Sequence, residues 1–96
     1  MMAIRLRNDI VLEKVSGIYI LVAKRSAWDS CPFAIQAGPL TAHFWRGLQS
    51  GIDEDTIIES ACQELKIPRE KVIRFYGKFM ETAKKYNYLI QGDSDQ

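Results

Sequence analysis

The sequence is poor in the residues that form disulfide frameworks and metal sites. Its 96 residues include only two cysteines and one histidine. Cys31 and Cys62 lie too far apart for the closely spaced ligand pairs of a zinc site, and two cysteines do not make the framework of a small secreted domain. The residues leave one bridge between them open, but reduced thiols in a cytoplasmic protein are the simpler interpretation.

The chain also lacks long apolar segments and an excess of charge of either sign. Its longest uncharged apolar run, residues 15–23, is far shorter than the ~20 residues of a membrane-spanning helix. Arginines interrupt the N-terminal segment where a signal peptide needs an apolar core. Thirteen basic residues face twelve acidic ones, whereas nucleic-acid-binding proteins are usually strongly basic. We therefore predict a soluble cytoplasmic protein whose partners include neither membranes nor nucleic acids.

What remains is the composition of an ordinary globular domain. Hydrophobic residues make up 47% of the chain and charged residues 26%, which excludes a disordered or fibrous protein. A chain of this length has room for one domain. We predict that this single domain covers residues 1–90 and that residues 91–96 form a polar C-terminal tail.

The first third of the chain has the pattern of β-strands. Residues 10–15 are rich in β-branched side chains, and Ser16-Gly17 predicts a tight turn into a second strand over residues 17–23. That second strand is apolar on both alternating faces, which is typical of a central strand. After a polar loop, residues 33–37 alternate cleanly and predict a third strand. An open sheet of three strands must leave an edge unpaired.

After the third strand the apolar residues follow a helical period. Pro39 predicts the first turn of a helix and Gly51 its end. Asp53 is the predicted N-cap of a second helix, and a third helix is predicted over residues 68–86, with Asn87 as its left-handed cap. The predicted core face of the third helix comprises Val72, Phe75, Phe79 and Ala83, flanked by Tyr76 and Met80. The result is an α+β domain whose last two helices form a helix-turn-helix.

The sequence contains no recognisable catalytic constellation. A nucleophile needs a base and an orienting group that converge on it, and His43 lies beside core aromatics, where a packing role is more common. Cys62 lies on the apolar stripe of the second helix, which favours a small core residue over a nucleophile. The acidic residues 53–55 are better explained as a helix start than as a metal site. We predict no enzymatic activity, no cofactor and no metal.

Basic residues concentrate on the predicted third helix. Five residues there are spaced so that they share one stripe beside the core face: Lys71, Arg74, Phe75, Lys78 and Thr82. One interpretation of this stripe is a solvated helix face. The other is a basic, partly aromatic wall that contacts an acidic and apolar peptide or a nucleic acid.

Over residues 5–90 the sequence resembles the PqqD-like family, the peptide-recognition elements of ribosomal peptide natural-product biosynthesis. The segments that carry the resemblance are, in chain order, Leu6-Arg7-Asn8-Asp9, Cys31-Pro32-Phe33, Thr41-Ala42-His43-Phe44-Trp45, Gly51 with the acidic helix start after it, Phe79-Met80 and Asn87-Tyr88-Leu89-Ile90. Residues 36–41 depart from the Leu-Asn-Glu-Thr type of junction that is common in the family, so the leader preference is expected to differ here.

The resemblance implies a winged helix-turn-helix with three N-terminal antiparallel strands followed by three helices. It also implies a non-catalytic protein that binds the leader segment of a precursor peptide and presents it to a maturation enzyme, either a radical S-adenosylmethionine enzyme or a lasso-type leader peptidase. In the family, the leader adds to the third strand and packs against the third helix. The peptide-binding residues implied here are Phe33, Ala34, Ile35, Gln36, Ala37, Lys71, Arg74, Phe75 and Lys78.

Two other functions stay open from the residues alone. A small winged-helix DNA-binding regulator would place the basic third helix in the major groove, although the net charge of +1 and the acidic second helix oppose it. A structural subunit of a larger complex would use the edge strand for assembly. A precursor-peptide gene and a maturation-enzyme gene beside this one would favour leader binding.

Overall fold

The computed structural model describes residues 5–89, in which a three-stranded sheet is followed by three helices. The elements are β1 (Ile10–Val15), β2 (Ile18–Ala23), β3 (Ala34–Ala37), α1 (Pro39–Gln49), α2 (Glu54–Leu65) and α3 (Arg69–Lys85). The predicted α+β class and element order are confirmed. None of the helices in this part of the chain is long and apolar enough to cross a membrane. Ile90 and the predicted tail, 91–96, lie outside the described residues.

The sheet has β2 at its centre, paired antiparallel with β1 on one side and β3 on the other. Ser16 and Gly17 join β1 to β2 and have φ values of 52° and 82°. A two-residue hairpin turn of type I′ has positive φ at both positions, and its twist matches that of the strands. The predicted turn and the predicted central strand are therefore confirmed, and β1 and β3 are the two edges of the sheet.

One face of the sheet packs on the helices and forms the core with them. Ile10, Leu21 and Ala37, one residue from each strand, are buried on this face. Phe44 and Trp45 of α1 are also fully buried and fill the space between sheet and helices. The core is thus a single cluster to which every strand and helix contributes.

The third strand begins one residue later than predicted. Phe33 lies in a bend before Ala34, and its side chain is 64% exposed. Its carbonyl nevertheless accepts a hydrogen bond from the Ala23 N–H at 2.9 Å. Phe33 therefore continues the pairing with β2 by its main chain, although its side chain does not join the core.

The helix boundaries follow from capping residues. The Asp53 carboxylate accepts hydrogen bonds from the Thr56 N–H at 3.1 Å and the Thr56 hydroxyl at 2.8 Å, and these bonds lower the pKa of Asp53. Gly51 (φ 80°) follows α1 and Asn87 (φ 62°) follows α3 in the left-handed conformation, as predicted. The third helix is one residue shorter at each end than predicted.

The predicted core face of α3 is wrong at one position. Phe75 is 44% exposed, and Tyr76 takes its place among the buried residues of the helix. Because each helical residue advances by ~100° about the axis, Phe75 lies on the flank of the core stripe. The Tyr76 ring packs edge-on against Phe44 at 5.0 Å, and its hydroxyl donates to Glu54 at 2.7 Å. Because Tyr76 occupies this position in the core, the Phe75 side chain stays at the surface of the protein.

The two ends of the described chain are held together by polar contacts. The Arg7 guanidinium donates two hydrogen bonds of 2.9 Å to the Asp9 carboxylate and one of 2.8 Å to the Ser30 hydroxyl. The Arg7 N–H donates to the Tyr88 carbonyl at 2.8 Å, and the Asn87 side-chain amide donates to the Ser30 carbonyl at 2.8 Å. Tyr88 returns onto the core, where it is only 1% exposed.

Candidate functional site

An open, mainly apolar groove lies between β3, the start of α1 and α3. Its volume is about 620 Å³, which is the size of a small-ligand site. The lining includes Ile35, Pro39, Leu40, Ile67, Phe75 and Thr82. Among the described residues that line the groove, Lys78 is the only charged one. The arrangement therefore accepts apolar side chains and places one positive charge at their side.

The groove brings together part of the implied peptide-binding set. Ile35 and Gln36 line it from the strand, and Phe75 and Lys78 line it from the helix. These residues are distant in sequence and meet because α1 packs against both β3 and α3, which places the strand and the third helix on either side of the groove. The groove thus lies on the Phe75 flank of α3, the flank that the basic stripe favours, and Ile73 on the other flank is outside its lining.

The other implied residues lie around the groove. Lys71 and Arg74 are exposed on α3 outside the lining. Phe33 and Ala34 are exposed at the beginning of β3, and Ala37 is buried in the core. The basic stripe therefore divides into Lys78, which reaches the groove, and two residues that supply charge farther out on the helix.

Sequence reasoning linked the junction of residues 36–41 to leader preference but named none of its residues after Ala37 as binding residues, and it missed the turn before α3. Pro39 and Leu40 belong to the junction between β3 and α1, and Ile67 belongs to the turn between α2 and α3. The apolar residue in that short turn was the available signal, because an apolar side chain in a connecting turn is expected to pack on something. The place where it packs required the tertiary fold.

The main-chain groups of the β3 edge point in directions that the strand register defines. Phe33 and Ala23 share a hydrogen-bonded pair, and Ile35 pairs with Leu21 two residues along. In an antiparallel ladder, the residues between such pairs direct their N–H and C=O groups away from the partner strand. Ala34 and Gln36 therefore both present a donor and an acceptor at the free edge.

The other edge of the sheet is less suited to pairing. Strand β1 carries two adjacent charged residues, Glu13 and Lys14, whereas β3 carries none. The Gln49 side-chain amide also donates to the Ile10 carbonyl at 3.4 Å, which occupies one acceptor of the β1 edge. Charged side chains on an edge strand oppose the addition of another strand. The β3 edge is therefore the open one, and it borders the apolar groove.

A polar cluster between α1 and α2 contains a serine, a histidine and a glutamate. The Ser60 oxygen lies 3.0 Å from the Ile57 carbonyl oxygen and shares a hydrogen bond of 2.8 Å with His43 Nε2. His43 Nδ1 lies 3.8 Å from the Glu64 carboxylate. The cluster therefore links the two helices.

The cysteines and the acidic residues do not assemble into a further site in the described part of the chain. Cys31 and Cys62 are free thiols, so the bridge that the sequence left open is not formed. Cys62 packs partly buried against the core. Within residues 5–89, no group of three histidine, cysteine, aspartate or glutamate side chains lies close enough to hold a metal ion.

The three antiparallel strands, followed by a helix-turn-helix whose last helix borders the sheet edge, define the class of winged helix-turn-helix folds. Two solved structures share this fold. In the structure of TbiB1 in complex with the TbiA(beta) leader peptide, the match covers 95% of this chain and 99% of that chain, with 16% identity and a TM-score of 0.70. In the structure of lasso peptide synthetase B1 complexed with the leader peptide, it covers 93% and 99%, with 17% identity and a TM-score of 0.72. No family model and no curated protein matches the chain.

Proposed function

We propose that this protein is a non-catalytic binding module that captures the leader segment of a ribosomally made precursor peptide and presents it to a maturation enzyme. The observation that carries the proposal is the free, uncharged edge of β3 beside the apolar groove. The two matched structures are both complexes with a leader peptide, which supports the same class of ligand here.

The leader binds as an additional strand. Its backbone pairs antiparallel with β3, where Ala34 and Gln36 each offer one N–H and one C=O. Alternate side chains of a strand point to the same face, so every second leader residue reaches into the groove toward Phe75. Main-chain hydrogen bonds supply affinity in this mode, and the side-chain sites supply specificity.

The groove is suited to binding and not to chemistry. Its lining from the described residues contains no cysteine, histidine or carboxylate, which are among the commonest nucleophiles and general bases. The chemistry is therefore performed by a partner enzyme in the cytoplasm, where the precursor is made. The likeness to lasso peptide synthetase B1 favours a lasso-type leader peptidase over a radical S-adenosylmethionine enzyme as that partner.

Proline substitutions at the β3 edge test the proposal. Proline has no N–H, so Ala34→Pro and Gln36→Pro each remove an outward donor and leave the bonds to β2 in place. We expect each variant to bind a fluorescein-labelled peptide at least about tenfold more weakly in anisotropy titrations, from the lost hydrogen bond and the added ring. The peptide is one selected for binding to the wild-type protein from random 14-residue peptides displayed on phage.

The matched control is Lys14→Pro on the β1 edge. By the same register argument, Lys14 directs its N–H away from β2, because Glu13 and Val15 form the hydrogen-bonded pairs with that strand. This variant is expected to retain full affinity. Circular dichroism verifies that all three variants stay folded. Equal affinity of the folded β3 variants and the wild type would contradict strand addition.

A further inference from the structure

An aromatic pair lies beyond the groove at the beginning of β3. Trp28 and Phe33 pack against each other with ring centroids 5.4 Å apart, yet their side chains are 48% and 64% exposed. The Trp28 indole N–H donates to the Ala23 carbonyl at 2.9 Å, which fixes the orientation of its ring. The Arg25 guanidinium lies 5.6 Å from the Trp28 ring centroid on the surface. The result is an oriented apolar surface without a partner in the described residues.

The pair lies on the path of a peptide that adds to β3. Phe33 continues the pairing with β2, since its carbonyl accepts from the Ala23 N–H. By strand alternation its side chain shares the face of Ile35, which lines the groove, at a distance of about 6.8 Å along the strand. An antiparallel peptide that passes Ile35 reaches Phe33 two residues later, on the same face.

We propose that Trp28 and Phe33 form a second side-chain site for the bound peptide, which takes an apolar residue two positions C-terminal to the residue that faces Ile35. This inference rests on the proposed function. It assigns to the leader a pattern of apolar residues at alternate positions, the last of them outside the groove. The aromatic pair thereby holds the peptide where it leaves the protein toward its C-terminal segment.

A double-mutant cycle with selected peptides tests the inference. Random 14-residue peptides displayed on phage are selected on the wild-type protein, and those that shift the amide resonances of residues 34–37 are synthesised. Nuclear Overhauser contacts to the Ile35 methyl groups identify the peptide residue that faces Ile35. We expect an apolar residue two positions C-terminal to it, and serine at that position should weaken binding to the wild type by about 5- to 20-fold.

The Phe33→Ala variant distinguishes contact with Phe33 from a general effect. In this variant the same serine substitution in the peptide is expected to change affinity by less than about twofold, because the partner side chain is already absent. The matched control is Ile73→Ala, which removes a 48% exposed apolar side chain on the other flank of α3. In this control the serine substitution should keep its full effect.

The outcomes separate the two proposals. If the peptides bind at residues 34–37 but the serine substitution costs the same in Phe33→Ala as in the wild type, the second site is wrong and strand addition stands. If no selected peptide affects residues 34–37, the proposed function itself is contradicted. Loss of the serine effect in Phe33→Ala alone supports the second site.

Discussion

Gly47 and Gly77 both lie inside helices, but their surroundings differ. A β-carbon on Gly47 would lie 2.7 Å from Cγ1 and 2.9 Å from Cδ1 of Ile57, whereas nothing lies within 4 Å of one on Gly77. Ile57 is fully buried, so its side chain has little room to move aside. Gly47 therefore allows α1 and α2 to approach closely, and Gly77 is a position where alanine would fit freely.

The same substitution should have opposite effects at these two positions. We expect Gly47→Ala to lower the free energy of unfolding by about 1–2 kcal/mol, because overpacking outweighs the gain in helix propensity. Gly77→Ala should raise it by about 0.5–1 kcal/mol. Urea unfolding followed by circular dichroism measures both. Stabilisation by Gly47→Ala would contradict the close contact of the two helices.

Asp9 stabilises the fold in a pH-dependent way. Its side chain is 17% exposed, and hydrogen bonds from the Arg7 guanidinium and the Ser26 hydroxyl hold the pKa of Asp9 below its usual value of 3.8. A carboxylate whose pKa is lowered by folding stabilises the native state above its unfolded pKa. That contribution is lost as the pH falls through the lowered folded pKa.

Replacing this carboxylate should therefore matter at neutral pH and not in acid. We expect Asp9→Asn to lower the free energy of unfolding by about 1–2 kcal/mol at neutral pH. The difference from the wild type should shrink as the pH falls below the usual value of 3.8. Urea titrations across this range measure it, with Glu13→Gln, an exposed carboxylate on β1, as the control. A difference that persists in strong acid would contradict the role of the Asp9 charge.

At the scale of whole elements, the sequence predicts the turns and helix boundaries that depend on the conformational preferences of a few adjacent residues. The Ser16-Gly17 turn, the Asp53 cap and the left-handed Asn87 each follow from the conformations that those residues favour over their neighbours. The face that a helix buries depends on where the other elements lie. Phe75 and Tyr76 are adjacent and both aromatic, and the contacts of Tyr76 with Phe44 and Glu54 select it for the core.

The candidate site was likewise predictable only in the features that depend on local sequence. The alternating, uncharged third strand and the spacing of Phe75 and Lys78 were visible in the sequence. Pro39 was indicated only through the unusual junction of residues 36–41, and Ile67 was not visible at all, because only the packing of the helices brings its turn to the groove. The contact of His43 with Ser60 joins α1 to α2 in the same way, and no local pattern predicts it.

The positive charge of α3 should affect peptide binding unequally. Lys78 lines the groove and Arg74 lies outside the lining. For an acidic leader, we expect Arg74→Glu combined with Lys78→Glu to weaken binding and slow association at low salt, with most of the loss, about tenfold, from Lys78→Glu alone. Surface plasmon resonance gives both the affinity and the association rate.

The control for this prediction is Lys84→Glu. Lys84 is exposed on the opposite flank of the same helix, so the substitution makes the same change in net charge at a distance from the groove. Its effect should be small and should disappear in salt. Equal losses from Lys84→Glu and Lys78→Glu would mean that only the overall charge of the protein attracts the peptide.

The charges of the whole molecule are balanced in number and separated in space. The net charge is +1; α3 carries six of the thirteen basic residues, and α2 carries four acidic residues and no basic one. Arg69 of α3 and Glu59 of α2 form an ion pair, which neutralises one of the basic residues of α3. A protein that binds duplex DNA neutralises several phosphates with basic side chains, and a net charge of only +1 gives weak long-range attraction to DNA.

The most direct test of the central claim is amide hydrogen exchange of the protein with and without its leader peptide. Strand addition predicts that the amides of Ala34 and Gln36, which point away from β2, become protected on binding, whereas the Ile35 amide, already paired with β2, changes little. Amide resonances should shift at residues 33–37 and along α3 from Phe75 to Thr82. Unchanged exchange at Ala34 and Gln36, with shifts confined to α2, would contradict binding at the β3 edge.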